Sequence, residues 1–202
     1  MSAHAQPRVS PEEYLEIERA AEFRSEYYDG RIYAMSGGSW GHAVVIANLA
    51  SALVGALKKR PCSVTSSDLR LRVSPTGLYT YPDVMVICGE PNFVDQRTDT
   101  VVNPALVVEV LSPSTEGYDR GFKAAQYRTI ELLKEYALVS QSEARVELFR
   151  RESAHEWLMS EFVGMETVCH FSSLDCRVPL SDIYDKVTFD AAVPTLRPEE
   201  RS

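Results

Sequence analysis

Positive charge is in short supply. The 202 residues carry 21 Lys and Arg against 29 Asp and Glu, a formal net charge of −8, which argues against indiscriminate, charge-driven binding to nucleic acid but leaves room for a local basic groove. Cysteine is scarce as well. Cys62, Cys88, Cys169 and Cys176 form no CxxC pair, and the spacing around Cys169, His170 and Cys176 matches no zinc pattern. A chain of this size needs no disulfide framework, so all four are expected as buried or idle thiols. No apolar run is expected to approach membrane-spanning length, and the first residues lack the apolar centre of a secretory signal, which sets a cytoplasmic expectation without membrane contact. A phosphate loop is lacking too: Gly37-Gly38 follows a hairpin arm and has no Lys-Ser/Thr after it. Neither an internal repeat nor a low-complexity tract is present.

What is present suits one globular domain. A hydrophobic fraction of 45% with 25% charged residues is enough to bury a core without staples. The expected layout is a flexible start over 1–9, a single domain over 10–193 and a flexible tail over 194–202.

The most informative stretch is 103–127. Pro104 opens a Val-rich run, 105–111, closed by Ser112-Pro113, the pattern of a strand buried on both faces. Glu109 is its only charge, and a buried carboxylate costs several kcal/mol unless it is paired, protonated or bound to a cation. The helical pattern that follows places Lys123, Tyr127 and Ile130 on one face.

The rest of the chain frames this stretch. Ser10-Pro11-Glu12-Glu13 reads as a capping box opening a helix to about residue 22. A hairpin, 23–28 and 31–35, turns at Asp29-Gly30. Glu26 lies on its first arm and reads first as a solvated strand residue, with a site role in reserve. A long helix over 41–59 carries His42, Ile46, Leu49 and Leu53 at helical spacing, so His42 faces inward near the N-terminus. Strands are expected over 63–73 and 79–87. In the second, Tyr81-Pro82-Asp83 puts Asp83 at the entry to an apolar run, where Pro82 limits pairing and lets a side chain aim into a cleft. A core strand at 135–140, a hairpin over 144–151 and 156–162, and a final strand and short helix at 181–184 complete the series.

Asp83 and Glu109 on neighbouring strands, with the Val110 carbonyl beside them, make the oxygen-rich half-shell that Mg²⁺ prefers. Lys123 would orient a water or offset charge on a phosphate. The implied chemistry is metal-assisted phosphodiester hydrolysis.

Helix, strands carrying Pro-Asp and then Glu, helix, strand resembles the core of the PD-(D/E)XK nuclease superfamily. More closely, Tyr81-Pro82-Asp83-Val84, the run Val107 through Thr115, Asp119, Lys123, Tyr127 and Glu135-Tyr136-Ala137-Leu138-Val139 resemble the Uma2 family, also called DUF820, over residues 10–151. The resemblance implies an α/β (α+β) fold with a restriction-endonuclease-like core, a mixed central sheet flanked by helices, an added N-terminal hairpin and C-terminal strands. It implies a Mg²⁺-dependent (or Mn²⁺-dependent) endonuclease acting on DNA, with catalytic residues Asp83, Glu109, Lys123, His42 and Glu26 and metal held by Asp83, Glu109 and Val110; an enzyme acting on RNA would look the same in sequence. One position departs from the superfamily pattern: Leu111 stands where a strand lysine is usual, and Lys123 is the displaced replacement. The plainer reading of Lys123 is an i, i+4 ion pair with Asp119 on a solvated helix.

The other functional class is a catalytically inactive module that binds nucleic acid or a protein. Clustering of Arg70, Arg72, Arg120, Lys123 and Arg128 around the carboxylates would favour the nuclease or a DNA binder, and a scattered arrangement with an acidic cleft would favour a protein partner. Tyr14, Phe23, Tyr27 and Trp157, read as exposed, motivate a homodimer contact.

Overall fold

The computed structural model describes residues 8–189. The expected tail over 194–202, and residues 1–7 of the expected N-terminal segment, lie outside the described residues. Val9 N–H donates to the Gly30 carbonyl, and the Tyr27 hydroxyl donates to the Val9 carbonyl.

Helix α1 (Pro11–Ala20) begins with the capping box intact: the Ser10 hydroxyl accepts from Glu13 N–H, and the Glu13 carboxylate accepts from Ser10 N–H. Strands β1 (Ser25–Tyr28) and β2 (Arg31–Ala34) pair through Asp29 and Gly30, both at positive φ (47° and 78°) as a type I′ turn requires. Ser39 caps helix α2 (Trp40–Leu57). Strands β3 (Cys62–Ser66), β4 (Arg70–Val73), β5 (Leu78–Thr80), β6 (Val84–Cys88), β7 (Thr100–Val101) and β8 (Leu106–Leu111) follow. A helical stretch, α3 (residues 116–127), leads to β9 (Glu135–Ser140), β10 (Arg145–Arg151) and β11 (Trp157–Val163). Strands β12 (Val168–Phe171) and β13 (Cys176–Pro179) and helix α4 (Leu180–Ile183) close the fold.

The central layer is a six-stranded mixed sheet in the order β11-β10-β9-β8-β6-β3, in which only β8 and β9 run parallel. Alternation along β8 decides what each face meets. Leu106, Val108 and Val110 pack against Val45, Leu49, Leu53 and Leu57 of α2. Val107 and Leu111 look the other way, onto Ala124 and Tyr127 of α3 and onto Leu71, Val73 and Leu78 of a five-stranded sheet, β2-β1-β5-β4-β7. Glu109 shares their parity and points between the two sheets.

Several expectations are corrected. The segments read as single strands over 63–73 and 79–87 are each broken, and the breaks carry the chain between sheets. Asp68 N–H and Leu69 N–H both turn back onto the Ser66 carbonyl, separating β3 from β4. Tyr81-Pro82-Asp83 separates β5 from β6 because Pro82 has no N–H to give to a ladder. Strands β12 and β13 make their own two-stranded sheet instead of extending the central one. Cys62 and Cys88, expected as thiols, are disulfide-bonded, since the β3–β6 register sets them opposite each other; Cys169 and Cys176 are free and buried. Tyr14 and Tyr27 are core residues, stacked on each other and packed with Tyr79. Phe23 stays exposed. Finally, α2 is long and apolar enough by composition to cross a membrane, contrary to the expectation of no such segment. Here its Val and Leu stripe is buried against the central sheet.

Leu53 is fully buried in that stripe. Leu53→Ala is expected to lower unfolding free energy by about 2–5 kcal/mol, read as a drop in urea midpoint at unchanged slope.

Candidate active site

The β6–β8 register, with Val84 opposite Val108, sets residue 83 level with Glu109 one step further on. Asp83 is aimed by the strand break. Tyr81 is anchored beneath it, its hydroxyl donating to Glu18 and accepting from Arg70 Nε, at 2.8 and 2.9 Å. Asp83 Oδ2 in turn accepts from Val110 N–H at 2.8 Å. His42 joins from the first turn of α2: its Nε2 lies 3.0 Å from the Val110 carbonyl oxygen and 3.3 Å from Asp83 Oδ2. Gly38 is required here, because a Cβ at that position would sit 2.7 Å from His42 Nδ1.

Lys123 reaches the same place from α3. Residues Asp119–Lys123 form a π-turn, in which Ala124 N–H bonds to the Asp119 carbonyl five residues back. The Tyr136 hydroxyl also donates to that carbonyl, at 3.0 Å. Lys123 is buried, with Nζ 3.2 Å from Glu109 Oε1, 3.2 Å from Glu26 Oε1 and 3.4 Å from Asp119 Oδ1. The Tyr127 hydroxyl donates to the same Glu109 oxygen at 2.6 Å. Thr80 and Tyr118 donate to the two oxygens of Glu26.

Two readings are thereby corrected. Glu26 is not a solvated strand residue but a buried partner of Lys123. The Asp119–Lys123 pair exists at i, i+4, yet it is buried rather than on a solvated helix. Asp83, Glu109, His42, Lys123, Asp119 and Val110 line one cavity of about 250 Å³, and Glu26 closes the wall behind Lys123. Asp119 is the member that sequence reasoning left outside the site residues, although the ion-pair spacing pointed to it. The basic residues are scattered rather than clustered, the arrangement that favours a protein partner: of Arg70, Arg72, Arg120, Lys123 and Arg128, only Lys123 lines this cavity. Arg70 is turned to Tyr81 and Thr100, and Arg120 is paired with Glu147 and Glu116.

The electrostatics are unbalanced. Burial pushes the Glu109 carboxyl well above its ordinary range; Lys123 pulls it back, but Asp83 and Asp119 add to the rise. Asp119 is raised as well, first by burial. Burial works to lower the Lys123 ammonium, yet Glu109, Glu26 and Asp119 together hold it above its ordinary value. Lys123 is thus firmly charged, and Glu109, sharing one cation with two other acids, is the under-neutralised member. His42 is raised chiefly by its hydrogen bond to Asp83, against an opposing effect of burial. Among the described residues no three His, Cys, Asp or Glu side chains group into a metal cage. The available donors are instead Glu109, Asp83 and the Val110 carbonyl. The hydrogen bonds to Glu109 all fall on Oε1 and those to Asp83 on Oδ2, so one oxygen of each carboxylate is left to the cavity.

A mixed sheet between a long helix and a second layer, with acids at a strand break and mid-strand, defines the restriction-endonuclease-like class of fold. A crystal structure titled as a putative nuclease belonging to DUF820 from Anabaena variabilis superposes with a TM-score of 0.70, covering 87% of this chain and 97% of that one at 16% identity, a likeness of fold. The chain belongs to the Uma2 family, described as "Putative restriction endonuclease", whose profile matches residues 11–174. An uncharacterized protein of Synechocystis sp., slr1290, is 40% identical over 183 residues, 91% of this chain and 95% of its own length. A second from the same organism, sll1609, is 39% identical over 160 residues, 79% and 90% of the two lengths.

Two outcomes are expected. Lys123→Met strands three buried acids and should cost about 3–5 kcal/mol of stability. Adding Glu109→Gln should restore part of that loss, so that a double-mutant cycle in urea reads a coupling energy. Separately, the folded-state pKa of His42 lies above its ordinary 6.5. Its stabilising contribution is therefore full below pH 6.5 and lost as pH rises through the folded-state value. The difference in melting temperature between wild type and His42→Asn should shrink over that rise.

Proposed function

We propose that this chain hydrolyses DNA phosphodiester bonds with a divalent cation, Mg²⁺ or Mn²⁺, held by Asp83, Glu109 and the Val110 carbonyl. The observation that carries the reading is the charge deficit at the cavity: Asp83, Glu109 and Asp119 line it with one lysine and one histidine, and that lysine is already shared with Glu26 behind it. A hard cation on the free oxygens of Asp83 and Glu109 offsets that deficit, and the donor set suits Mg²⁺, which takes one or two carboxylates and leaves its other positions to water and substrate phosphate. When bound, such a cation supplies a water of lowered pKa and a counter-charge for the phosphate.

The chain's own residues do the positioning. Lys123 and Tyr127 hold Glu109 through one oxygen and so orient the other toward the cavity. Lys123 stays protonated and presents a fixed positive charge at the cavity wall, where it stabilises charge developing on a phosphate without reorganisation. His42 rests on Asp83 Oδ2 and the Val110 carbonyl, two groups a cation would also use, so loading the site competes with the imidazole. A homodimer finds less support than the sequence suggested, because Tyr14 and Tyr27 are spent in the core.

The acidic cleft favours a second reading, an inactive module for a protein partner. Calorimetric titration of Mg²⁺ and Mn²⁺ into wild type, Asp83→Ala and Glu109→Gln, with cleavage of plasmid and single-stranded DNA on the same samples, separates the two. The nuclease requires binding that is lost in both variants and tightens with pH, since protons on Glu109 and His42 must leave first. It also requires cleavage that falls about 10²–10³-fold in Lys123→Met. Metal binding without cleavage of any DNA would favour the inactive module.

A further inference from the structure

Three cavities adjoin through shared wall residues. The acidic one lies in the middle. It shares Met35, Ser36, Thr115 and Lys123 with a larger cavity of about 640 Å³ walled by Tyr28, Tyr33, Tyr118 and Phe122. It shares Ser39, Pro113 and Gln141 with a third, of about 410 Å³, which has Trp40 and Lys186 on its wall. The two outer cavities have no residue in common, so the carboxylates lie between two compartments that each carry aromatic rings. Tyr28 and Phe122 lean partly on the core, and the other three rings are open to solvent. Trp40 is 83% exposed, Tyr33 46% and Tyr118 37%. Tyr118 and Phe122 stack at 5.3 Å, and Tyr28 meets Phe122 edge-on, so the rings of one wall brace one another.

Cations are lacking along the same path. Lys123, Lys186 and His42 are the basic residues on the three walls among the described residues, and Arg120 and Arg145, on an adjoining cavity that shares Ser112, Pro113 and Gln141 with the acidic one, are each paired with two acids. Lys123 is buried among three acids, and Lys186 stands beside Asp185 at 3.7 Å. Duplex DNA is gripped mainly through its phosphates and needs rows of free Lys and Arg. Unpaired strands also use basic grooves, but they draw part of their hold from ring stacking, worth about 1–3 kcal/mol per base, which a duplex does not offer. A compartment of about 640 Å³ is also within the range that takes a small organic ligand, which suits one unstacked nucleotide.

We infer that the strand entering this site is single-stranded DNA, with a base held by the Tyr28, Tyr33, Tyr118 and Phe122 wall on one side of the carboxylates and another on Trp40 on the other side. This rests on the phosphodiesterase reading for its chemistry but is tested by binding alone. Anisotropy of a fluorescein-labelled oligonucleotide is measured in Ca²⁺, as a single strand and as a hairpin duplex, between 50 and 200 mM salt. The single strand should bind at least about tenfold tighter than the duplex. Its affinity should change far less than the ~10³–10⁵-fold that six to ten phosphate contacts would give. Tyr33→Ala and Trp40→Ala, both at exposed positions whose loss leaves the core intact, should each weaken it about 5–150-fold; Tyr33→Phe should bind as wild type. Equal or tighter binding of the duplex, unaltered binding by both alanine variants, or no binding of the single strand overturns the proposal. Single-strand preference without metal-dependent cleavage would uphold it and remove the nuclease. Cleavage of duplex without that preference would do the reverse.

Discussion

One ammonium group ties three parts of this fold together. Lys123 comes from α3, Glu109 from the central sheet and Glu26 from the five-stranded sheet, with Asp119 one helical turn before it. Each of these charges loses several kcal/mol of solvation on burial, and only close, multiple pairing returns it. The α3 helix is therefore fixed in rotation and depth by a polar contact at the centre of an apolar interface. The π-turn belongs to the same constraint. It widens the helix by one residue where Asp119 and Lys123 sit, and the Tyr136 hydroxyl bonds to the Asp119 carbonyl there. Aromatic residues then enclose the pair: Tyr127 caps Glu109, and Tyr118 caps Glu26.

The same arrangement leaves the site short of positive charge. A fold seeking stability alone would gain from replacing such a cluster with apolar side chains of equal volume. Keeping four acids around one lysine and one histidine therefore points to a use for the cluster beyond holding the layers. Asp83 sharpens the point, because it stands at a break in the strand pattern that costs ladder hydrogen bonds and is braced by the buried Glu18, Arg70 and Tyr81 network. That bracing is spent on directing one carboxylate toward another.

Much of this was legible in the residues. The buried strand around Glu109, the hairpin turn at Asp29-Gly30, the capping box and the inward Lys123-Tyr127 face all follow from local rules of period and turn chemistry, and they stand in the structure as expected. What was not legible depends on which sheet a strand joins. Residues 63–73 and 79–87 read as single strands; Pro82 marks a weak point in the second, but nothing local says that each is cut and shared between two layers. Glu26 was misjudged for the same reason: on a free hairpin it would be solvated, and only the stacking of one sheet on the other buries it. Tyr14 and Tyr27 went from presumed surface to core by the same step, and the Cys62–Cys88 bond needed the β3–β6 register. Helix α2 poses the converse problem, since its composition alone does not distinguish a membrane span from a core helix, and only the structure shows that its Val45, Leu49, Leu53 and Leu57 stripe packs on the central sheet.

An acidic cleft is an awkward place for a polyanion. The difficulty is eased if the negative charge belongs to the metal-free site. Carboxylates that repel a phosphate when bare attract it once they hold a divalent ion, because the ion's charge is local and its open positions accept phosphate oxygen. Discrimination then lies in how the remainder of the strand is held. Rows of arginine would grip any duplex in reach, whether or not the ion were in place. Under the proposed reading, rings on either side of the carboxylates would hold bases only where a strand is already open, so the site would engage fully when ion and unpaired nucleotide are both present. On this account the scarcity of free cations around the cleft and the surplus of acids within it are two sides of one selectivity, and the aromatic walls supply the affinity that charge does not.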